Sequence, residues 1–251
     1  MGYKRIVVLA KSYKPGGWCV AGKEVDYQNG VIQSASGWIR PVSGDEENHG
    51  SLTETQCSVD GGDSVNVYDV IDIPLSGHEP QPGQPENYRI EDGVPWQNVD
   101  YIAPGNVRQL EDTPNDVWLE DGIATDRISL GFDESGRVNQ SLYLIRPEAF
   151  RITLSNDLNV FSESHKKNIR ASFTYRGTDY GHISITDPRV RRAFENMYPE
   201  EDGAHVEQHL PMGDNCLICL SLGPRFGERQ EHYKLVATAL DFTGYYQRNF
   251  R

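Results

Sequence analysis

The chain has 251 residues and a formal net charge of −13, a length that suits one large domain or, slightly better, two small ones. With 24 Gly, 14 Pro and only 37% hydrophobic residues, a long helical bundle is disfavoured and a turn-rich β protein favoured. The charge excludes a uniformly basic nucleic-acid binder, and no apolar run reaches the roughly 18 residues of a membrane-spanning helix.

The first apolar stretch, Ile6–Ala10, is too short for a signal-peptide core and reads as a buried strand. Together with four scattered cysteines, too few for a disulfide framework, it points to a cytoplasmic protein with reduced thiols. Arg5–Ala10 is apolar and β-branched and stops at the loop KSYKPGG, marked by Pro15. Trp18–Ala21 follows as a second strand, and Asn29-Gly30 marks a tight turn. Gly37–Val42 reads as an edge strand or the end of a strand because of Pro41. Residues 44–62 are polar and acidic and predict a loop. Asn66–Ile73 alternates as a strand. Pro74–Pro85 carries four prolines and predicts a surface loop, with Tyr88–Ile90 a short strand after it. Between residues 99 and 128 the segments VRQLED and DVWLEDG each permit a helical turn, the second capped by Asp116.

The second half repeats the β signature. Leu142–Ile145 and Phe150–Leu154 are strands. Asn168–Tyr175 and Tyr180–Thr186 form a hairpin turning at Arg176–Asp179. On Asn168–Tyr175 the alternation sets Arg170, Ser172 and Thr174 against Ile169, Ala171, Phe173 and Tyr175, so the aromatics face either the core or a stacking surface. Asp187 and Pro188 open a helix over about 187–198, with Val190, Ala193, Phe194 and Met197 as its apolar stripe. Cys216–Leu222 and Tyr233–Leu240 close the chain as strands around a polar turn at Arg225–Gln230. Short strands, polar loops and one capped helix describe a small barrel or a pair of them.

Catalytic and metal motifs are missing. Cys216 and Cys219 form a single CxxC, but residues three apart on a strand point to opposite faces and cannot share a zinc. His205 and His209 have the spacing of a helix-mounted metal pair without the HExxH order; an exposed loop or helix end is the simpler reading. There is no GxSxG, P-loop or helix-opening GxGxxG. We expect no catalytic residue, no metal and no cofactor, with a hydrolase of unrecognised site a distant third reading.

Charge is unevenly placed. Residues 1–23 carry five bases and no acid; 24–136 carry 23 acids and 4 bases; 137–192 carry 10 bases and 5 acids; 193–251 carry 9 acids and 5 bases. Both basic segments hold aromatics, in KSYKPGGW and HKKNIRASFTYRGTDY. Cations that track phosphates and rings that stack on bases are what single-stranded nucleic acid requires.

The motifs GWIRPVS (37–43), YKPGGWCVAGKE (13–24), FTYRGTDYGHISITDP (173–188) and SLGPRFGERQEHYKLVA (221–237) resemble the dual OB-containing domain, a prokaryotic family, over nearly the whole chain. The resemblance implies an all-β protein of two tandem OB-like small β-barrels with one or two short helices, and a role in binding or sensing nucleic acid in defence or mobile-element settings. Trp18 stands where the family tends to carry a basic residue after the double glycine, which leaves stacking there in place of phosphate contact. We expect an N-terminal barrel over 1–125 with acidic insertions and a C-terminal barrel over 126–251. The expected partners are nucleic acid, single-stranded in preference, and an effector protein. The binding residues expected are Lys11, Tyr13, Lys14, Trp18, Lys23, Trp38, Arg40, Lys166, Lys167, Arg170 and Arg176. The rival reading is a protein-interaction module whose acidic block mimics DNA and occupies a basic partner.

Overall fold

The computed structural model describes residues 2–14, 16–45, 47–159, 164–210 and 215–250; Pro15 lies outside them. Six strands form the first sheet: β1 (Gly2–Lys14), β2 (Gly17–Gln28), β3 (Val31–Val42), β4 (Asp69–His78), β5 (Asn87–Ile90) and β6 (Gln97–Tyr101). β1 pairs antiparallel with β2, and β2 with β3; β3 then joins β5 in parallel, β5 pairs with β4, and β4 returns to β1. The five strands therefore close into a barrel, to which β6 adds on β4. The β2–β3 turn is Asn29-Gly30, both residues at positive φ, the backbone that a two-residue hairpin needs.

The second sheet holds β7 (Arg127–Ile128), β8 (Leu142–Ile145), β9 (Glu148–Asn159), β10 (Ser164–Tyr175), β11 (Thr178–Ile185), β12 (His205–Gln208), β13 (Cys216–Phe226) and β14 (Glu231–Asp241). The run β9-β10-β11-β14-β13 repeats the order of the first barrel, including one parallel join, here between β11 and β14. No ladder joins β9 to β13 among the described residues, so this sheet stays open. Three short α-helices accompany it: α1 (Leu130–Glu134), α2 (Pro188–Ala193) and α3 (Tyr245–Asn249).

Two apolar cores follow, and they share a wall. Ile6–Ala10 are all at most 1% exposed, because one face of β1 lines the barrel while the strand also packs against β14. On β13, Leu217 and Cys219 belong to the first core, whereas Cys216, Ile218, Leu220 and Leu222 belong to the second. Leu142, Leu144, Ala237 and Leu240 also enter the first core from the second half. Cys216 and Cys219 thus face different cores, as the strand spacing requires, and no cluster of metal-ligating side chains occurs among the described residues.

Several sequence expectations are corrected. The strand after Asn66 begins at Asp69 and runs on through Pro74 to His78. Pro74, opposite Tyr3, lacks an N–H, and its carbonyl accepts from Glu91 N at 3.0 Å, so the proline costs the ladder one donor only. The helix expected over 187–198 ends at Ala193, and Met197, expected in its apolar stripe, is 48% exposed; Pro199 disfavours helical backbone at Tyr198. No helix forms at DVWLEDG. There Asp116 accepts from Leu119 N at 3.1 Å within an irregular turn, and Trp118 takes a positive φ. His205 opens strand β12 in place of a loop or helix end.

Candidate nucleic-acid interface

The hairpin joining β1 to β2 carries the first basic segment. In its register Tyr13 opposes Trp18, and the two rings stack with centroids 5.0 Å apart. The Lys11 ammonium lies 4.5 Å from the Trp18 ring centre and also meets Glu54 and Ser64. Trp18 is fixed by paired backbone hydrogen bonds with Leu52. Tyr13 remains 49% exposed, while its backbone N–H donates to Thr186 O at 3.1 Å. That bond ties the hairpin tip to the end of β11, where α2 begins.

The start of α2 is held rigidly. Asp187, fully buried, accepts from Arg189 N at 2.9 Å and Ala239 N at 3.0 Å and pairs with the Arg189 guanidinium at 2.9 Å. An N-cap aspartate and a proline in the first turn explain why the chain turns helical here. The consequence is a cleft of about 330 Å³ lined by Tyr13, Lys167, Pro188, Arg191, Arg192, Glu195 and Tyr198. The Lys167 ammonium lies 5.2 Å from the Tyr198 ring centre. Arg191 donates to Ile185 O at 3.2 Å and Arg192 to Phe250 O at 3.4 Å. Lys167, Arg191 and Arg192 line the cleft together with Glu195, with a tyrosine from each half of the chain beside them.

The expected binding residues divide into three groups. Tyr13 and Lys167 meet in this cleft, and Lys11, Lys14 and Trp18 lie on the adjoining hairpin. Lys14 is half-buried and donates to His49 O; burial lowers its pKa. Lys166 and Arg170 sit on the opposite face of β10 from Lys167, and Arg170 donates to His182 O at 2.9 Å. Arg176 lies in the β10–β11 turn, roughly 30 Å along the strand from Lys167 at ~3.3 Å per residue, bound to Thr113 O and Asn115.

Lys23, Trp38 and Arg40 form the third group and are corrected as surface contacts, since they are 8%, 4% and 1% exposed. Lys23 donates to Leu110 O at 2.8 Å and to Asp112 at 2.5 Å, Trp38 Nε1 donates to the same carboxylate at 3.0 Å, and Asp112 also accepts from Leu144 N at 2.8 Å. Arg40 reaches Ser221 Oγ at 3.0 Å. These side chains join the first barrel to the second half. Phe173, Tyr175 and Tyr180 are core residues. Arg191, Arg192 and Tyr198 were missed by the sequence reading, although two adjacent arginines a few residues before a tyrosine were a visible signal.

The family model described as the dual OB-containing domain matches residues 4–239, and the chain belongs to that family. No curated protein and no solved structure matches it.

Proposed function

Taking that membership as premise, we propose that the protein binds single-stranded nucleic acid, without transforming it, along the cleft between Tyr13 and Lys167. The single observation that carries this reading is convergence: Tyr13 of the first basic segment and Lys167, Arg191 and Arg192 of the second, separated by the acidic block in sequence, line one cleft. Lys167, Arg191 and Arg192 are spaced to follow phosphates, and Tyr13 and Tyr198 offer rings to bases. Cations gathered in this cleft give local binding against a net charge of −13, with strong dependence on salt.

Part of the acidic block pairs with the chain's own cations. Glu24 pairs with Lys4, Asp72 with Arg5, Glu79 with Arg89 and Asp112 with Lys23. In our reading the protein is a non-catalytic cytoplasmic recognition module in a prokaryotic defence or mobile-element system, acting through an effector partner. Anisotropy titrations with labelled single-stranded and duplex DNA and RNA, at low and moderate salt, test it. We expect single strands to bind and salt to weaken them. Absence of binding to all four at micromolar protein overturns the reading.

A further inference from the structure

A second cleft, of about 440 Å³, lies where the two halves meet. Val42, Ser43, Gln84 and Asn87 line it from the first barrel, and Arg225 and Gln230 from the β13–β14 hairpin. Behind Asn87 lies Arg40. Its guanidinium is 1% exposed and has only neutral partners: Asn87 Oδ1 at 3.4 Å and Ser221 Oγ at 3.0 Å. Its Nε has no hydrogen-bond partner, and no carboxylate pairs with it among the described residues. A buried cation without an anion is costly, and this one stands beside an open cleft.

Two of the cleft's other charges are paired with counterions, and Asp45 is held by hydrogen bonds to neutral groups alone. Arg225 pairs with Asp133 at 2.6 Å, Glu79 with Arg89 at 2.5 Å, and Asp45 accepts from Glu47 N and from the backbone and side chain of Asn48. Lys14, which donates to His49 O at the cleft's rim, adds a second cation without a carboxylate. The rim also presents the exposed amides of Gln81 and Gln230, and amides can pair with the edge of a nucleobase. Gln84 and Asn87 are oriented, since Gln84 Nε2 donates to Leu222 O at 2.9 Å and Asn87 Nδ2 donates to Gln84 Oε1 at 3.4 Å.

We propose that this cleft is a nucleotide site that takes a nucleoside monophosphate, free or as the phosphorylated end of a strand, whose phosphate supplies the anion that Arg40 lacks. The site is distinct from the Tyr13–Lys167 cleft and stands whether or not that cleft binds a strand. In low-dielectric surroundings the Arg40 charge acts on a ligand in the cleft even through the intervening amide.

Thermal-shift and calorimetric titrations of the whole chain with AMP, GMP, CMP and UMP test this, with adenosine and inorganic phosphate as controls. We expect at least one monophosphate to raise Tm saturably at millimolar concentration and adenosine to leave it unchanged. Arg40→Met should abolish the shift, because a buried charge exchanged for an apolar side chain of similar length keeps the fold. Gln81→Glu, on the exposed rim, should weaken binding several-fold by placing an anion beside the phosphate. Should Arg40→Met fail to fold, Gln81→Glu decides alone. A shift given equally by a 5′-phosphorylated oligonucleotide, and lost on dephosphorylation, assigns the source to a strand end; a shift from mononucleotides alone assigns it to a free nucleotide. No shift from any monophosphate, or equal shifts in the wild type and in every folded variant, overturns the proposal.

Discussion

Tyr13 and Lys167 line one cleft although the acidic block separates them in sequence. If Lys167, Arg191 and Arg192 each neutralise a phosphate, replacing all three with Ala should flatten the salt dependence of single-strand binding by about two units in log–log slope, at ~0.7 per contact. Tyr13→Ala should cost about 1–3 kcal/mol of affinity with little change in slope. Lys166→Ala with Arg170→Ala, on the other face of β10, should change the slope less. Anisotropy titrations over a salt series check all three variants.

Asp112 is the only carboxylate that meets both Lys23 and Trp38 among the described residues. Asp112→Ala leaves a nearly buried ammonium and two N–H groups short of an acceptor. We expect a loss of about 3–5 kcal/mol, the range for breaking a buried ion pair. The double change Lys23→Met with Asp112→Asn should recover most of it, since Asn still accepts from Trp38. Urea denaturation midpoints measure both.

Lys234 is 2% exposed. Its ammonium donates to Trp118 O at 2.9 Å, and burial lowers its pKa to about 8 despite Asp126, Glu120 and Asp116. In the unfolded chain a lysine titrates near 10.4, so between about pH 8 and 10 the unfolded state binds more protons and stability rises with pH. The rise should total about 3 kcal/mol at ~1.4 kcal/mol per unit. Lys234→Met should remove it and be at least as stable at neutral pH. Denaturation curves at neutral pH and at about pH 9.5 read the difference.

Gly83 has a positive φ, and a Cβ there would lie 2.4 Å from His232 Cε1. The His232 ring cannot yield, because Nδ1 meets Gly223 O at 2.7 Å and Nε2 meets Asp133 at 3.1 Å. Gly83→Ala should cost more than the ~1–2 kcal/mol of left-handed backbone alone. The excess over that figure should shrink when His232→Ala is combined with it, which a double-mutant cycle measures.

The strands were legible because alternation is a local property. Ile169, Ala171 and Phe173 point inward on β10 as their spacing predicts, and the CxxC falls on opposite faces of β13. Trp38 and Arg40 were legible as sharing a face of β3, but period-two alternation does not say what covers that face. Here Asp112 and Ser221, distant in the chain, cover it and convert expected ligand contacts into interior joints. DVWLEDG was ambiguous for a related reason: Val117 N donates to Tyr180 Oη at 3.0 Å, a tertiary bond that outweighs a single weak helical turn. The cleft needed α2 placed beside the β1–β2 hairpin, and that placement rests on the Tyr13–Thr186 backbone bond, which leaves no mark in either segment.

Strand β13 has a core on each side, and this determines how the molecule melts. Heat that loosens Leu217 and Cys219 from one core must also move Ile218 and Leu220 in the other, so neither core can lose its packing while its neighbour keeps it. Scanning calorimetry should show one endotherm, with the van't Hoff enthalpy equal to the calorimetric one. A chain cut near residue 125 should yield two insoluble pieces, each carrying half of an unfinished wall.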